Sequence, residues 1–527
     1  MINKSKNPDM VYGAGLPRRV VLSLILLCLS WRLGVPIQLM GTDLGRHIKN
    51  GELILQGTWD VLYKNYYSYT NPEYPFINHH WLFGVFCFLL WHSFGFSGIS
   101  LFFVAVRLAA FWIFFRLAER FSSFSVACAF GLLSFPLIAT RLDIRPELFS
   151  TLFCGLFWWF LDSYNRGRIT PRRLKIWLPV IQLIWVNTHI FFMMGPVLTV
   201  LFWAQAKIEK REQESKHLKQ TIWLVMAACL LNPSGIKGAL LPLSLFHGFH
   251  TVLVENIPIF ASYNYIPHGL WRWFMVSLIL LLLCWTYFLQ YQQIKQNMAG
   301  LALVILLSLS ALGANRLMTL FGHFWIPLIS CAFAGWMPSL GPSVRKAAVP
   351  GLMALGILAA LTVGFDGRQK PEFGLAPGVN DSIEFFKQNR ISGPIFNNYD
   401  IGGYLIFHLS PAYKLFVDNR AEAFPKNFFD HVLNPAEDNN RNWFKLDERY
   451  HFNVIFFHLY WFNDYEERFI FNRIQDPHWA LVFSENDVFI FARRNPQNMN
   501  LIQRYECPTD KIMKRLEGLG FKKGGSR

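Results

Sequence analysis

Asp43 and His47 stand four residues apart in the stretch Gly41-Thr42-Asp43-Leu44-Gly45-Arg46-His47-Ile48-Lys49-Asn50-Gly51. On a helix that spacing puts a carboxylate and an imidazole on one face, a pairing suited to moving a proton. Thr42 or Asp43 is equally placed to cap the helix, with His47 only packing. Asn78-His79-His80-Trp81 follows. Adjacent His residues leave a helix in different directions, so they are poor joint metal ligands; one can touch substrate while the other supports structure. The turn Arg141-Leu142-Asp143-Ile144-Arg145-Pro146-Glu147 allows two readings. Either its charges pair locally and cap the next helix, or Arg141 and Arg145 bind a lipid phosphate while Asp143 joins Asp43 on a divalent cation, Mg2+ or Mn2+. Asn187, His189, Asn232, Lys237, Glu255, Arg316 and His323 extend the set of candidates, with Arg316 placed for a lipid phosphate. Arg32 and Arg107 fall inside apolar runs, where a charge is costly and marks a partner.

What must position these residues is a membrane bundle. Of 527 residues, 53% are hydrophobic and only 16% charged, with 51 Phe and 19 Trp; a disordered chain lacks such aromatics. The apolar residues come in long runs rather than at the periods of amphipathic soluble elements. The charge excess of +16 lies wholly before residue 365, since the remainder carries 21 basic and 21 acidic residues. That excess sits in short loops between apolar runs, where it sets membrane orientation, and not on the basic face of a nucleic-acid binder. The eight Cys form no CxxC or Cys/His spacing, which gives a zinc site no support.

The basic flank Lys4, Lys6, Arg18 and Arg19 precedes an apolar run and is read as an uncleaved anchor with a cytoplasmic N-terminus. The positive-inside rule then favours about eleven spans in residues 1–364, with Trp81–Phe96 lying on the outer face instead of crossing. Segments 41–97, 140–147, the Asn187–His189 turn and 232–270 fall outside, where the polar candidates gather. Residues 365–527 read as an extracytoplasmic, soluble α/β domain. It is expected to have a short helix at Asp381–Asn389, buried strands at Pro394–Phe396, Lys414–Val417 and Asn453–Phe457, and a hairpin of Trp479–Phe483 with Val488–Ala492. Lys522–Arg527 reads as a frayed end. In this part Asn398-Tyr399-Asp400-Ile401-Gly402-Gly403-Tyr404 is weak as a phosphate motif. Asp418 and Arg420, in Val417-Asp418-Asn419-Arg420, read as a loop site or as a salt bridge in a turn.

An Asp just after the first span, in a large external loop, resembles the GT-C superfamily of membrane glycosyltransferases, which includes oligosaccharyltransferases, protein O-mannosyltransferases and aminoarabinose transferases. The closer resemblance is to a group of bacterial GT-C-like membrane proteins. It rests on Asp43-Leu44-Gly45-Arg46-His47-Ile48, Ser68-Tyr69-Thr70, Asn78-His79-His80-Trp81-Leu82, Arg145-Pro146-Glu147-Leu148-Phe149, Trp185-Val186-Asn187-Thr188-His189 and Asn232-Pro233-Ser234-Gly235, with the two tail motifs above. In two places the chain departs from the pattern. Leu44 follows Asp43 where many superfamily members carry a second acid, and His80 stands where the group often has Glu.

The resemblance implies a polytopic GT-C-like fold in the inner (cytoplasmic) membrane. It also implies transfer of a sugar from a polyprenyl phosphate or pyrophosphate to an envelope glycan, lipid or protein on the outer face, with no nucleic-acid partner. Asp43 would be the catalytic base, with His47 beside it. The candidates for binding substrate and the leaving phosphate are His79, His80, Arg141, Asp143, Arg145, His189, Lys237 and Arg316. A glycolipid transporter or flippase, and a non-catalytic envelope scaffold, are the competing readings. No internal repeat of the kind transporters often show is apparent.

Overall fold

The computed structural model describes residues 17–139, 141–245, 257–261, 268–291, 297–364, 370–459, 464–510 and 512–514. Glu255, Lys4, Lys6 and the Lys522–Arg527 end lie outside the described residues. The chain divides into two compact units, residues 1–36 with 97–373, and residues 37–96 with 374–527. This grouping places the first loop with the tail, where the sequence suggested a boundary at 364 with the loop on the membrane side.

The first unit is helical. Among the described helices five are long and apolar enough to cross a membrane: Trp81–Phe121, Ile190–Ile208, Gly269–Gln290, Asn315–Ser339 and Pro342–Val363. Phe124–Leu133 and Met298–Gly313 are shorter apolar helices. Lipid supplies no hydrophobic drive between helices, so close packing at small residues must hold them. A Cβ built on Gly356 would come within 2.9 Å of Leu132 and 3.0 Å of the Ala129 carbonyl, and one on Gly322 within 2.7 Å of Leu137. Aromatic rings fill the remaining space, as where Phe324 stacks on Trp158 at 5.2 Å and meets Phe114 at 4.9 Å.

Helix Trp81–Phe121 is two helices joined at a kink. Gly95 has φ 64° and ψ −166°, a conformation that favours glycine. The unit boundary follows directly, after Phe96.

The second unit is built on a four-stranded sheet of β1 (Ile395–Asn397), β2 (Val454–His458), β3 (Trp479–Glu485) and β4 (Val488–Arg493), in the order β1-β2-β4-β3. β1 runs parallel to β2. β3 and β4 form an antiparallel hairpin, and β4 also pairs with β2. Asn486 and Asp487 both have positive φ, as a tight two-residue hairpin turn requires. The expected helix is present as Asp381–Gln388.

Lys414–Val417 is not a strand of this sheet. It pairs instead with the first loop, through a parallel bridge between Ser68 and Leu415. Tyr69 N–H donates to the Leu415 carbonyl at 3.0 Å, and Leu415 N–H donates to Tyr67 at 2.9 Å. The Ser68 and Thr70 hydroxyls both donate to the Phe416 carbonyl, at 3.1 and 3.0 Å. Ser68-Tyr69-Thr70 thus docks the loop on the tail.

Helix Leu44–Leu55 is buried over most of its circumference, and glycines let its neighbours approach. A Cβ on Gly45 would lie 3.0 Å from the Gly403 carbonyl, on the tail helix Gly402–Leu409. A Cβ on Gly51 would lie 2.2 Å from the Gly84 carbonyl, on the helix before the kink. Gly51→Ala therefore forces two backbones apart. The expected cost is about 1–3 kcal/mol, measured as a lower melting temperature of the detergent-solubilised protein.

Candidate functional site

Asp43 is the N-cap residue of helix Leu44–Leu55, yet its side chain makes no capping hydrogen bond. The Arg46 guanidinium pairs with Asp43 Oδ1 at 2.9 Å. The Asn419 amide donates to the same oxygen at 2.7 Å and to the Thr42 carbonyl at 3.2 Å. Arg46 Nε closes the triangle by donating to Asn419 Oδ1 at 3.0 Å. Capping alone is therefore not what this carboxylate does. It is 24% exposed while Arg46 is 6% exposed, so a partly open acid is held by largely buried partners.

The Gly-Gly motif makes this possible. A Cβ on Gly402 would strike the Asp418 backbone at 2.5 Å, and one on Gly403 would lie 2.6 Å from the Thr42 carbonyl and 2.8 Å from the Asn419 amide. These glycines allow close backbone approach, which brings Asn419 onto Asp43. Phosphate binding is not needed to account for them.

Sequence reasoning missed two acids here. Partial burial and the neighbouring Asp43 carboxylate push Asp400 up to about 6 from an ordinary value of 3.8. Burial also raises Glu422, against the opposing pull of Arg46 and Arg420. The available signal was the position of Asp400 just before two glycines that demand close contact.

Because the native value of Asp400 exceeds the unfolded one, the native state binds more protons between about pH 4 and 6. Stability is therefore lost as pH rises through that window. Asp400→Asn removes this loss and is expected to stabilise the protein above pH 6, by about 3 kcal/mol at most. The gain vanishes below pH 4. Thermal melts of both proteins at pH 4 and pH 7.5 check it.

His47, His79 and His80 come together. The His47 ring is buried edge-on against Phe83 at 4.9 Å and His80 at 5.4 Å, and His80 lies 3.8 Å from His79. Asp418 and Arg420 form a fully buried pair, with Nε to Oδ1 at 2.7 Å and Nη2 to Oδ2 at 2.8 Å. Arg420 Nη2 also donates to Asn65 at 2.8 Å. This motif is the salt bridge of the two sequence readings, and it grips the first loop.

The other candidates belong to the membrane unit. Arg107 donates to the carbonyls of Arg141, Leu142 and Asp143 at 3.1, 2.7 and 2.8 Å, fixing the charged turn. Within that turn Arg141 pairs with Glu147 at 3.2 Å and Arg145 with Asp143 at 3.8 Å. Arg107, Arg141 and His323 line a cavity of about 20 Å³ with Leu29, Leu33 and Leu148, room for a water molecule. His189 accepts or donates to the Ser150 hydroxyl at 2.7 Å, and its ring meets Phe191 at 4.6 Å. Arg316 lies over the same Phe191 ring at 5.4 Å, so those two are brought together. Lys237 stands exposed in helix Gly235–Leu245. Asn232 is structural: its amide donates to the Cys229 and Gly235 carbonyls and its Oδ1 accepts from Ser234 N–H.

Among the described residues no group of three or more His, Cys, Asp and Glu side chains is arranged to hold a metal ion. Asp43 Oδ1 carries Arg46 and Asn419, and Asp143 faces Arg145.

No family model and no curated protein matches the sequence. Solved structures do. The crystal structure of an oligosaccharyltransferase from Archaeoglobus fulgidus, tethered to an acceptor peptide, matches 91% of this chain and 74% of its own, with TM-score 0.56 and 10% identity. ArnT from Cupriavidus metallidurans in the apo state matches 90% of this chain and 97% of its own, with TM-score 0.54 and 12% identity. The same protein was also solved bound to undecaprenyl phosphate. The mycobacterial arabinofuranosyltransferase AftD matches 92% of this chain with TM-score 0.52 and 15% identity, and this chain spans 40% of AftD. At such identities it is the fold that is shared. The chain is a multi-pass membrane protein. Its fold is that of the GT-C membrane glycosyltransferases, as its motifs suggested.

Proposed function

We propose that the protein is a glycosyltransferase that moves a sugar from a polyprenyl-phosphate or pyrophosphate carrier to an envelope acceptor. The observation that carries this reading is the Asp43 carboxylate, partly open and oriented by Arg46 and Asn419, in a chain with a GT-C fold. Asp43 takes the proton of the acceptor hydroxyl as that oxygen bonds to the anomeric carbon and the bond to the carrier phosphate breaks. His47 supports the helix that presents Asp43. Arg141, Arg145, Arg316 and Lys237 are assigned to the phosphate side, where positive charge stabilises the departing group. His79, His80, Asp143 and His189 are assigned to substrate contacts.

The same reading places the protein in the inner membrane with about eleven spans. The N-terminus is cytoplasmic, segment 81–96 lies on the outer face and the tail is extracytoplasmic.

Mass spectrometry of lipid-linked sugars and envelope glycans, in wild type and a deletion strain, tests the proposal. The expected result is loss of one glycan residue with accumulation of its polyprenyl-linked form. Unchanged glycans and carrier pools would overturn it.

A further inference from the structure

The tail contains a second concave site that shares no residue with the surroundings of Asp43. It is a cavity of about 560 Å³ between the segment entering helix Asn440–Tyr450, the end of helix Asp464–Gln475, and the turn leading into β3. That volume falls in the range of small-ligand sites, with space for more than one sugar ring.

Its lining has three properties. First, its carboxylate and guanidinium charges cancel. Arg468 pairs with Asp438 at 2.5 Å, and Arg473 pairs with Asp476 at 2.5 Å. A phosphate or other anion would find both guanidinium groups already matched by carboxylates.

Second, the lining is rich in amides with unused capacity. The Asn472 and Gln475 side chains make no hydrogen bond among the described residues. Asn439 uses only its oxygen, to cap the following helix through Arg441 N–H at 2.8 Å. Amides offer donors and acceptors together, which suits hydroxyl groups that also do both. Arg473 lines the cavity but is 1% exposed, and its Nη1 and Nη2 donate to Asp476 and Asn440, so it shapes the wall rather than offering a free donor. Trp443 and Phe469 hold that guanidinium in place at 4.9 and 5.5 Å, so the wall is rigid.

Third, the cavity has an aromatic wall. Phe444 is 49% exposed there, unlike the buried aromatics of the sheet core, and offers an apolar face for the C–H side of a sugar ring.

We propose that this cavity binds a neutral saccharide through Asn439, Asn472 and Gln475, with Phe444 as its platform and the Arg473–Asp476 pair as its rigid wall. Its use in holding the acceptor chain rests on the transferase reading; the binding itself does not.

The test uses the full-length protein in lipid nanodiscs and saturation-transfer-difference NMR. Maltotriose, cellotriose and mannotriose serve as neutral probes, and glucose 6-phosphate as the anionic comparison. At least one trisaccharide is expected to give a transfer signal. That signal should fall at least fivefold in Asn472→Ala/Gln475→Ala, whose side chains support no intramolecular bond, and in Phe444→Ala. Three results would overturn the proposal: no signal from any neutral probe, a signal indifferent to all three cavity substitutions, or stronger binding of glucose 6-phosphate. Failure of the transferase reading would appear separately, as glycans indifferent to loss of the protein while saccharide binding persists.

Discussion

Asp43→Asn is expected to lower sugar transfer by 10²–10⁴-fold while leaving the protein folded and inserted. The size follows from removing a positioned base, equivalent to about 3–5 kcal/mol of barrier. The fold survives because of the geometry. Asp43 Oδ1 accepts from Arg46 at 2.9 Å and from Asn419 at 2.7 Å, and an Asn side chain keeps an acceptor oxygen of the same shape. The charge and basicity are lost while the triangle of contacts remains. The measurement is transfer from a polyprenyl-linked sugar by purified protein, with melting temperature as the control. Near-normal transfer in a folded variant would remove Asp43 from the chemistry.

Arg420→Ala is expected to cost about 3–5 kcal/mol, the usual penalty for stripping one partner from a buried ion pair. Asp418 and Arg420 are both fully enclosed. The guanidinium also lies over the rings of Tyr67 at 5.0 Å and Phe76 at 4.7 Å and bonds to Asn65. Its loss therefore leaves a buried carboxylate and frees three residues of the first loop at once. Limited proteolysis should cut the 57–78 region faster, and the protein should melt lower. Asp418→Leu with Arg420→Met should recover much of the loss, because no charge is then stranded. A double variant as unstable as the single one would mean that the pair's directional contacts, rather than the stranded charge, dominate.

Much of this was legible in the sequence because the signals were local. Long apolar runs announced membrane helices, and two short apolar runs flanking Glu485-Asn486-Asp487 announced the hairpin. What stayed hidden depends on partners hundreds of residues away. Lys414–Val417 has the composition of a sheet strand, but its backbone pairs with Tyr67–Tyr69, and no period within either segment encodes that choice. Asp43 occupies a capping position, but Arg46 and Asn419 compete for its carboxylate, and one of them lies 376 residues downstream. The Gly-Gly pair was visible as a backbone-approach signal; what would approach it was not. Within the membrane unit the charged turn was readable as an ion-pair network, whereas the Arg107 guanidinium that fixes its carbonyls comes from a different helix.

The unit that carries Asp43 is written in the gene as two pieces, 37–96 and 374–527, with residues 97–373 between them. On a ribosome making about 5–20 residues per second, that interval lasts roughly 15 to 55 s. During it the first loop has emerged without the strand partner for Ser68, the buried acid–base pair for Asn65 and Tyr67, or the amide that orients Asp43. A nascent chain therefore carries the Asp43 carboxylate long before Asn419 can orient it. Products truncated within the membrane bundle lack the Asn419 amide that orients Asp43, and arrival of the last third of the chain completes its surroundings.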